Sequence, residues 1–218
     1  KFGDKAVLFA ENLDKLDDFE ELAKDYGNDA EKLAGVFADP EKAGDLRRLN
    51  DKFGDKAALF AENLDKLGDF EELAKDYGDD AEKLAGVFAD PEKAGDLRRL
   101  NDKFEDKAEI FADHLDKLGD FEEIAKDFGD DEAKLALVLE NPDKADDLRR
   151  LNDKYGDKAD LFLNNLDKLE DFEALEEDFG NDAAKLEKVF ANPDKADELR
   201  RLADKYGDKA DLFLDNLD

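Results

Sequence analysis

Apolar residues recur along the chain at steps of three and four, and the steps restart on the same schedule every 51 residues. In residues 52–102 one series is Ala57, Phe60, Ala61, Leu64 and Leu67, and a second is Phe70, Leu73, Ala74 and Tyr77. Ala81, Leu84, Ala85 and Phe88 form a third, and Ala94, Leu97 and Leu100, reaching Phe104, a fourth. Such spacing puts each series on one stripe of an α-helix, and nothing alternates at the two-residue period of a half-buried strand. A repeated punctuation divides the series: an apolar residue, then Gly or Ala, then Asp, at Phe53-Gly54-Asp55, Leu67-Gly68-Asp69, Tyr77-Gly78-Asp79 and Phe88-Ala89-Asp90. Gly closes a helix in the left-handed conformation, and Asp accepts the free N–H groups that open the next. Pro91 follows where a missing N–H costs nothing. The pattern predicts four short helices per copy, at about 56–67, 70–77, 80–89 and 91–104.

The segment ADPEKAGDLRRLNDKFGDKA at 38–57 returns at 89–108 with one letter changed. It returns again as ENPDKADDLRRLNDKYGDKA at 140–159 and ANPDKADELRRLADKYGDKA at 191–210. The chain therefore reads as repeats 1–51, 52–102, 103–153 and 154–204 with a partial fifth at 205–218. Helices this short are marginal alone in water, and a 51-residue copy is near the lower limit for an independent core. No Pro-, Ser- or Gly-rich linker separates the copies. The expected fold is all-α, a continuous α-solenoid of four repeats plus a partial fifth. Its period differs from the roughly 33 to 34 residues of ankyrin and tetratricopeptide repeats. Because 205–218 restates 1–14 and neither end carries a polar cap, the expectation is a segment of a longer array. Copies one and two differ only at Val7/Ala58, Asp17/Gly68 and Asn28/Asp79, whereas copies two and three differ at fifteen positions. Uneven drift of that kind suits successive natural duplication, with a designed repeat protein as the alternative.

Charge narrows the partners. There are 34 Lys and Arg against 64 Asp and Glu, a formal −30 spread over all copies. Nucleic acid needs clustered cations, so it is not an expected partner, and an anionic lipid surface is disfavoured likewise. No apolar run approaches the roughly 20 residues of a membrane span, so no membrane insertion is expected. The chain opens at Lys1 without an initiator Met or a signal core, which reads as a soluble, processed or excised segment. Cys, Met, Trp, Ser, Thr and Gln are all absent. Without hydroxyl or thiol nucleophiles other than Tyr, and with one His, the expectation is no enzyme and no cofactor.

The residues that stand out are the eight Arg, gathered in pairs at Arg47 and Arg48, Arg98 and Arg99, Arg149 and Arg150, and Arg200 and Arg201. Flanked by Leu, they are expected to edge a buried stripe and pair with carboxylates on neighbouring helices. The sharper alternative is a ladder of anion sockets for an acidic protein partner. Asp-rich turns such as 75–83 and 127–134 read first as helix caps and second as loose cation sites. The nearest approach to a calcium-binding EF-hand loop, Asp51 to Glu62, places Phe53 at its third position and Lys56 where Gly is required. His114 takes a position held by Asn12, Asn63, Asn165 and Asn216 in the other copies, which reads as drift on a solvated face. Tyr26 and Tyr77 exchange with Phe128 and Phe179, and Tyr155 and Tyr206 with Phe2, Phe53 and Phe104, so the hydroxyls read as dispensable.

Three functional expectations result. The first is a spacer in a larger repeat protein, secreted or at the cell surface. The second is a solenoid scaffold for a protein or peptide, and the third, an enzyme, is nearly excluded. A scaffold would vary one exposed face while keeping its core, whereas changes such as Gly86 to Leu137 and Phe88 to Leu139 touch core-like positions as well.

Overall fold

The computed structural model describes residues 2–27, 29, 31–104, 107–129, 131–180, 182–207 and 210–214. Among these, every regular element is helical. A local device recurs within each copy. A residue near φ −130° with positive ψ breaks one helix, and a tight turn ending in Lys starts the next. In copy two the break residues are Phe53 (φ −129°, ψ 54°) and Asn63 (φ −125°, ψ 50°), followed by 3-10 turns Gly54–Lys56 and Leu64–Lys66. The Lys N–H closes each turn on the break residue's carbonyl, 2.7 Å for Lys56 on Phe53 and 3.0 Å for Lys66 on Asn63. Ahead of the Lys stands Asp55 or Asp65, in the first turn, where unsatisfied N–H groups favour a carboxylate.

This device changes the predicted boundaries. The helix expected at 56–67 divides into Ala57–Glu62 and a second helix Leu67–Asp76, with Gly68 inside the latter. What stops the first helix is Asn63, whose Nδ2 donates to the Leu59 carbonyl at 2.9 Å; Asn12 and Asn165 cap Leu8 and Leu161 in the same way. His114 shares that backbone conformation (φ −128°, ψ 51°) and is half-buried, so it occupies a helix break rather than a solvated face. Asn216 and the end of the partial repeat lie outside the described residues. The Tyr77-Gly78 step behaves as predicted: Gly78 takes φ 64° and ends the second helix, as Gly27, Gly129 and Gly180 do in the other copies. The third helix, expected at 80–89, shortens to Ala85–Ala89, although Asp80 Oδ1 still accepts from the Glu82 and Lys83 N–H groups. Its counterparts Glu132–Leu139 and Ala183–Ala191 are longer, with Leu137 and Lys188 where Gly35 and Gly86 weaken the helix of copies one and two. Leu137 is exposed, so that exchange is not a core change, whereas Leu139 is buried like Phe88. The fourth helix of copy two is Lys93–Lys103.

Two compact units emerge, Lys1–Leu118 and Gly119–Asp218, and the division falls inside the third copy. In the first unit Leu16–Asp25, Lys42–Lys52, Leu67–Asp76 and Lys93–Lys103 stack each on the next, so that second and fourth helices alternate. The short helix Ala34–Ala38 packs on Ala57–Glu62 of the following copy. In the second unit Ala145–Lys154, Leu169–Asp178 and Ala196–Tyr206 stack in the same order, and Ala210–Leu214 packs on Ala183–Ala191. Leu22, Leu46, Leu73 and Leu97 in the first unit and Leu148 and Leu175 in the second are wholly buried. Rings complete each core: Phe60 meets Phe70 at 5.3 Å and Phe88 at 5.8 Å between centroids, and Phe53 meets Phe88 edge-on at 5.3 Å. Each such buried side chain contributes about 1.5 to 3 kcal/mol by leaving water, which short helices cannot supply themselves.

Candidate functional site

The fourth helix carries the paired Arg residues, with Leu97 and Leu100 buried on its inner stripe and Arg98 and Arg99 at its rim. The two members of a pair do different work. The first turns back into its own copy: Arg47 Nε lies 2.7 Å from Asp18, Arg98 Nε 2.6 Å from Asp69, Arg149 Nε 2.5 Å from Asp120 and Arg200 Nη1 3.0 Å from Asp171. The second reaches forward. Arg48 grips Glu71 of the following copy with Nε at 2.7 Å and Nη2 at 3.2 Å, and Arg150 grips Glu173 with both at 3.1 Å. Arg99 and Arg201 bond to Asp96 and Asp197 on their own helices. All eight guanidiniums thus have carboxylate partners, and the anion-socket ladder has no vacant rung. A planar guanidinium fork suits this two-pronged grip, which a lysine ammonium cannot reproduce.

A second junction contact uses tyrosine, and it corrects the expectation that these hydroxyls are dispensable. The Tyr26 hydroxyl donates to the Ala57 carbonyl of the next copy at 2.6 Å, and Tyr77 donates to Ala108 at 2.7 Å. Asn50 Nδ2 donates to the Tyr26 hydroxyl at 3.0 Å and to Asp25 at 3.2 Å; Asn101 does the same for Tyr77 and Asp76, at 3.1 Å each. Burial pushes the Tyr77 hydroxyl up to about 12, and Tyr26 moves in the same direction for the same reason. Where Phe128 replaces the tyrosine, Asn152 keeps its bond to Asp127 at 3.2 Å, but its buried Oδ1 has no hydrogen-bond partner. Where Phe179 replaces it, the asparagine has become Ala203 as well. Tyr155 plays another part, donating to Glu176 at 2.5 Å.

Lysines add a third set of links between copies. Lys83 reaches Glu109 at 2.5 Å, Lys134 reaches Asp160 at 2.6 Å, and Lys185 reaches Asp211 at 2.7 Å. The hydrogen bond from Lys83 holds the Glu109 carboxyl below its ordinary value. The position of Glu109 is Ala58 in copy two, so this link begins only at the third copy.

Comparison with protein-family models, curated proteins and solved structures finds no match to this chain. Its chemistry is read from its own side chains. Among the described residues no group of three or more His, Cys, Asp or Glu converges to hold a metal ion, and no helix is long and apolar enough to cross a membrane. An open depression of about 380 Å³ lies on the fourth helix of copy four, lined by Asp194, Asp197, Glu198, Arg201 and Leu202. Sequence reasoning located the arginines but not their division into inward and forward arms, nor the Tyr–Asn–Asp links. The signal available for the latter was the joint change of Tyr77 and Asn101 to Phe179 and Ala203.

Proposed function

We propose that the chain is a structural spacer, an α-solenoid segment in which the number of 51-residue copies sets length and the contacts between copies set stiffness. The observation that carries this reading is the forward arm: Arg48 on Glu71 and Arg150 on Glu173 place the chain's most directional polar contacts between one copy and the next. Tyr26 and Tyr77 supplement them with part-buried hydrogen bonds across the first and second junctions. An exposed ion pair alone contributes at most about 1 kcal/mol. Set at the first and third junctions with the same fork geometry, it defines orientation more than it adds stability. Small-angle scattering on variants with residues 52–102 deleted or duplicated tests the reading. A spacer gains a constant increment in maximum dimension per copy. Compact globules grow their radius with about the 0.38 power of length and disordered chains with about the 0.6 power, and either scaling would refute it.

A further inference from the structure

We propose that the chain cuts itself in acid at two peptide bonds, Asp39–Pro40 and Asp90–Pro91, by attack of each aspartate's own carboxyl on its main-chain carbonyl. The reaction goes beyond the spacer reading and does not depend on it. Both bonds lie in the turn between the third and fourth helices, in copies one and two, where Asp39 and Asp90 share one backbone conformation (φ −134°, ψ 83°) and are exposed. The carbonyl to be attacked already accepts a hydrogen bond. The Lys42 N–H donates to the Asp39 carbonyl and the Lys93 N–H to the Asp90 carbonyl, each at 3.1 Å. A backbone N–H aimed at that oxygen favours the negative charge that grows on it during attack. Copies three and four hold the turn with another side chain. Asn141 and Asn192 precede Pro142 and Pro193, and their Nδ2 atoms donate back to the Leu137 and Lys188 carbonyls at 3.1 and 3.0 Å. A carboxylate only accepts, so Asp39 and Asp90 cannot be tied back in this way. The Gly35 and Gly86 carbonyls take the Asp39 and Asp90 backbone N–H groups instead, at 2.9 Å each.

The chemistry balances with water as the one co-reactant. The protonated Asp39 carboxyl adds an oxygen to its own carbonyl carbon and closes a five-membered cyclic anhydride. The carbon–nitrogen bond breaks, and the carboxyl proton passes to the Pro40 nitrogen, which leaves as a secondary amine. Water then opens the anhydride, returning the aspartate side chain and leaving a new terminal carboxyl group; Asp90 and Pro91 follow the same course. Intramolecular attack of this kind reaches effective concentrations of about 10⁵ M or more when well aligned. Proline suits the leaving role, because its nitrogen is a tertiary amide and more basic than the N–H amides elsewhere in the chain. Since the carboxyl must bring its proton, the reaction belongs to acid. The charged groups beside the turns are Glu41, paired with Lys15 at 3.4 Å, and Lys42 in copy one, and Glu92, paired with Lys66 at 3.4 Å, and Lys93 in copy two. A cut leaves its two sides held together. Leu16–Asp25 packs on Lys42–Lys52 across the first bond and Leu67–Asp76 on Lys93–Lys103 across the second, with Arg47 on Asp18 at 2.7 Å and Arg98 on Asp69 at 2.6 Å.

The test holds the full chain at the lowest pH that keeps its helical circular dichroism, beside a neutral control, and samples both by mass spectrometry in denaturant, where held pieces separate. Fragments 1–39, 40–90 and 91–218 should accumulate in acid, with Pro40 and Pro91 as new first residues, while the Asn141–Pro142 and Asn192–Pro193 bonds stay whole. Asp39→Asn and Asp90→Asn, which copy the residues of the third and fourth repeats, should each abolish one cut and spare the other. Asn141→Asp should create a third cut, since Pro142 and the Lys144 N–H, 2.9 Å from the Asn141 carbonyl, are already in place. The same chain unfolded in urea at the same pH should be cut at least about tenfold more slowly, because it loses the aimed N–H. An intact chain in acid, cuts that survive Asp39→Asn or Asp90→Asn, an uncut Asn141→Asp bond, or cutting as fast in urea would each overturn the proposal. Scattering on the deleted and duplicated chains is recorded at neutral pH, so the spacer reading stands or falls apart from this one.

Discussion

Restoring one hydroxyl should stabilise the second unit. Phe128 is buried at the position where Tyr26 and Tyr77 each donate to a carbonyl of the next copy and accept from an asparagine. Its neighbour Asn152 is in place, bonded to Asp127, with a buried oxygen lacking a partner. Phe128→Tyr adds one O–H, to be donated either to Asn152 Oδ1 or to the Ala159 carbonyl, the counterpart of Ala57 and Ala108, and an oxygen that can accept from Asn152 Nδ2 as those of Tyr26 and Tyr77 do from Asn50 and Asn101. Each net hydrogen bond contributes about 0.5 to 1.5 kcal/mol, and satisfying a buried orphan recovers part of its desolvation penalty. We expect a gain of about 1 to 2 kcal/mol, a rise of roughly 2 to 8 °C in melting temperature at this chain length. Phe179→Tyr is the internal control: Ala203 has removed the asparagine, so only the Ala210 carbonyl remains, and about half the gain should follow. Differential scanning calorimetry on the full chain measures both. A destabilised Phe128→Tyr, or equal effects at the two sites, would refute the account of Asn152 as a stranded partner.

Leu97→Ala should cost about 2 to 5 kcal/mol by chemical denaturation, because the side chain is wholly buried between stacked helices, while the double change of Arg98 and Arg99 to Lys should cost less and leave the fold intact. Alkaline titration should unfold the first unit: the Tyr77 hydroxyl, held up to about 12 in the fold against about 10 unfolded, contributes stability that is complete below pH 10 and lost as pH rises toward 12. Absorbance at the phenolate band, compared with Tyr77→Phe, reports that transition. With a formal charge of −30, melting temperature should rise with NaCl as repulsion is screened over about 10 Å at 0.1 M, and more per mole with divalent cations. A falling melting temperature would mean that the arginine and lysine pairs outweigh the repulsion.

Helical stripes were legible because burial repeats every three or four residues: Leu73, Leu84, Leu97 and Phe88 are all core as the pattern requires. Boundaries were less so, because Gly68 invites a helix end on local preference while Leu67, Phe70 and Leu73 bury one continuous stripe across it. A mid-helix Gly costs about 1 kcal/mol, which that burial exceeds. The overlooked signal was the recurrence of Asp-Lys or Glu-Lys just before each new Ala or Leu stripe, together with an Asn able to cap a carbonyl four residues back. The forward reach of Arg48 was hidden because Glu71 lies 23 residues away and becomes a neighbour only when the helices stack. The tyrosine links are hidden because exchange with Phe suggests indifference, whereas Ala203 shows a partner changing together with Phe179.

The division of labour within the pairs Arg47–Arg48 and Arg149–Arg150 bears on how the number of copies can change. A copy holds one half of a lock at its trailing edge, in Arg48, and the matching half near its leading edge, in Glu71 of the next. Any frame of 51 residues, wherever it is cut, therefore carries one complete set of halves. Unequal recombination that inserts or removes a whole period leaves every new seam matched, with no compensating mutation required. A cut that adds or drops part of a period strands a guanidinium against no carboxylate. On the spacer reading proposed above, length changes in whole steps while the Arg–Glu contact keeps its fit.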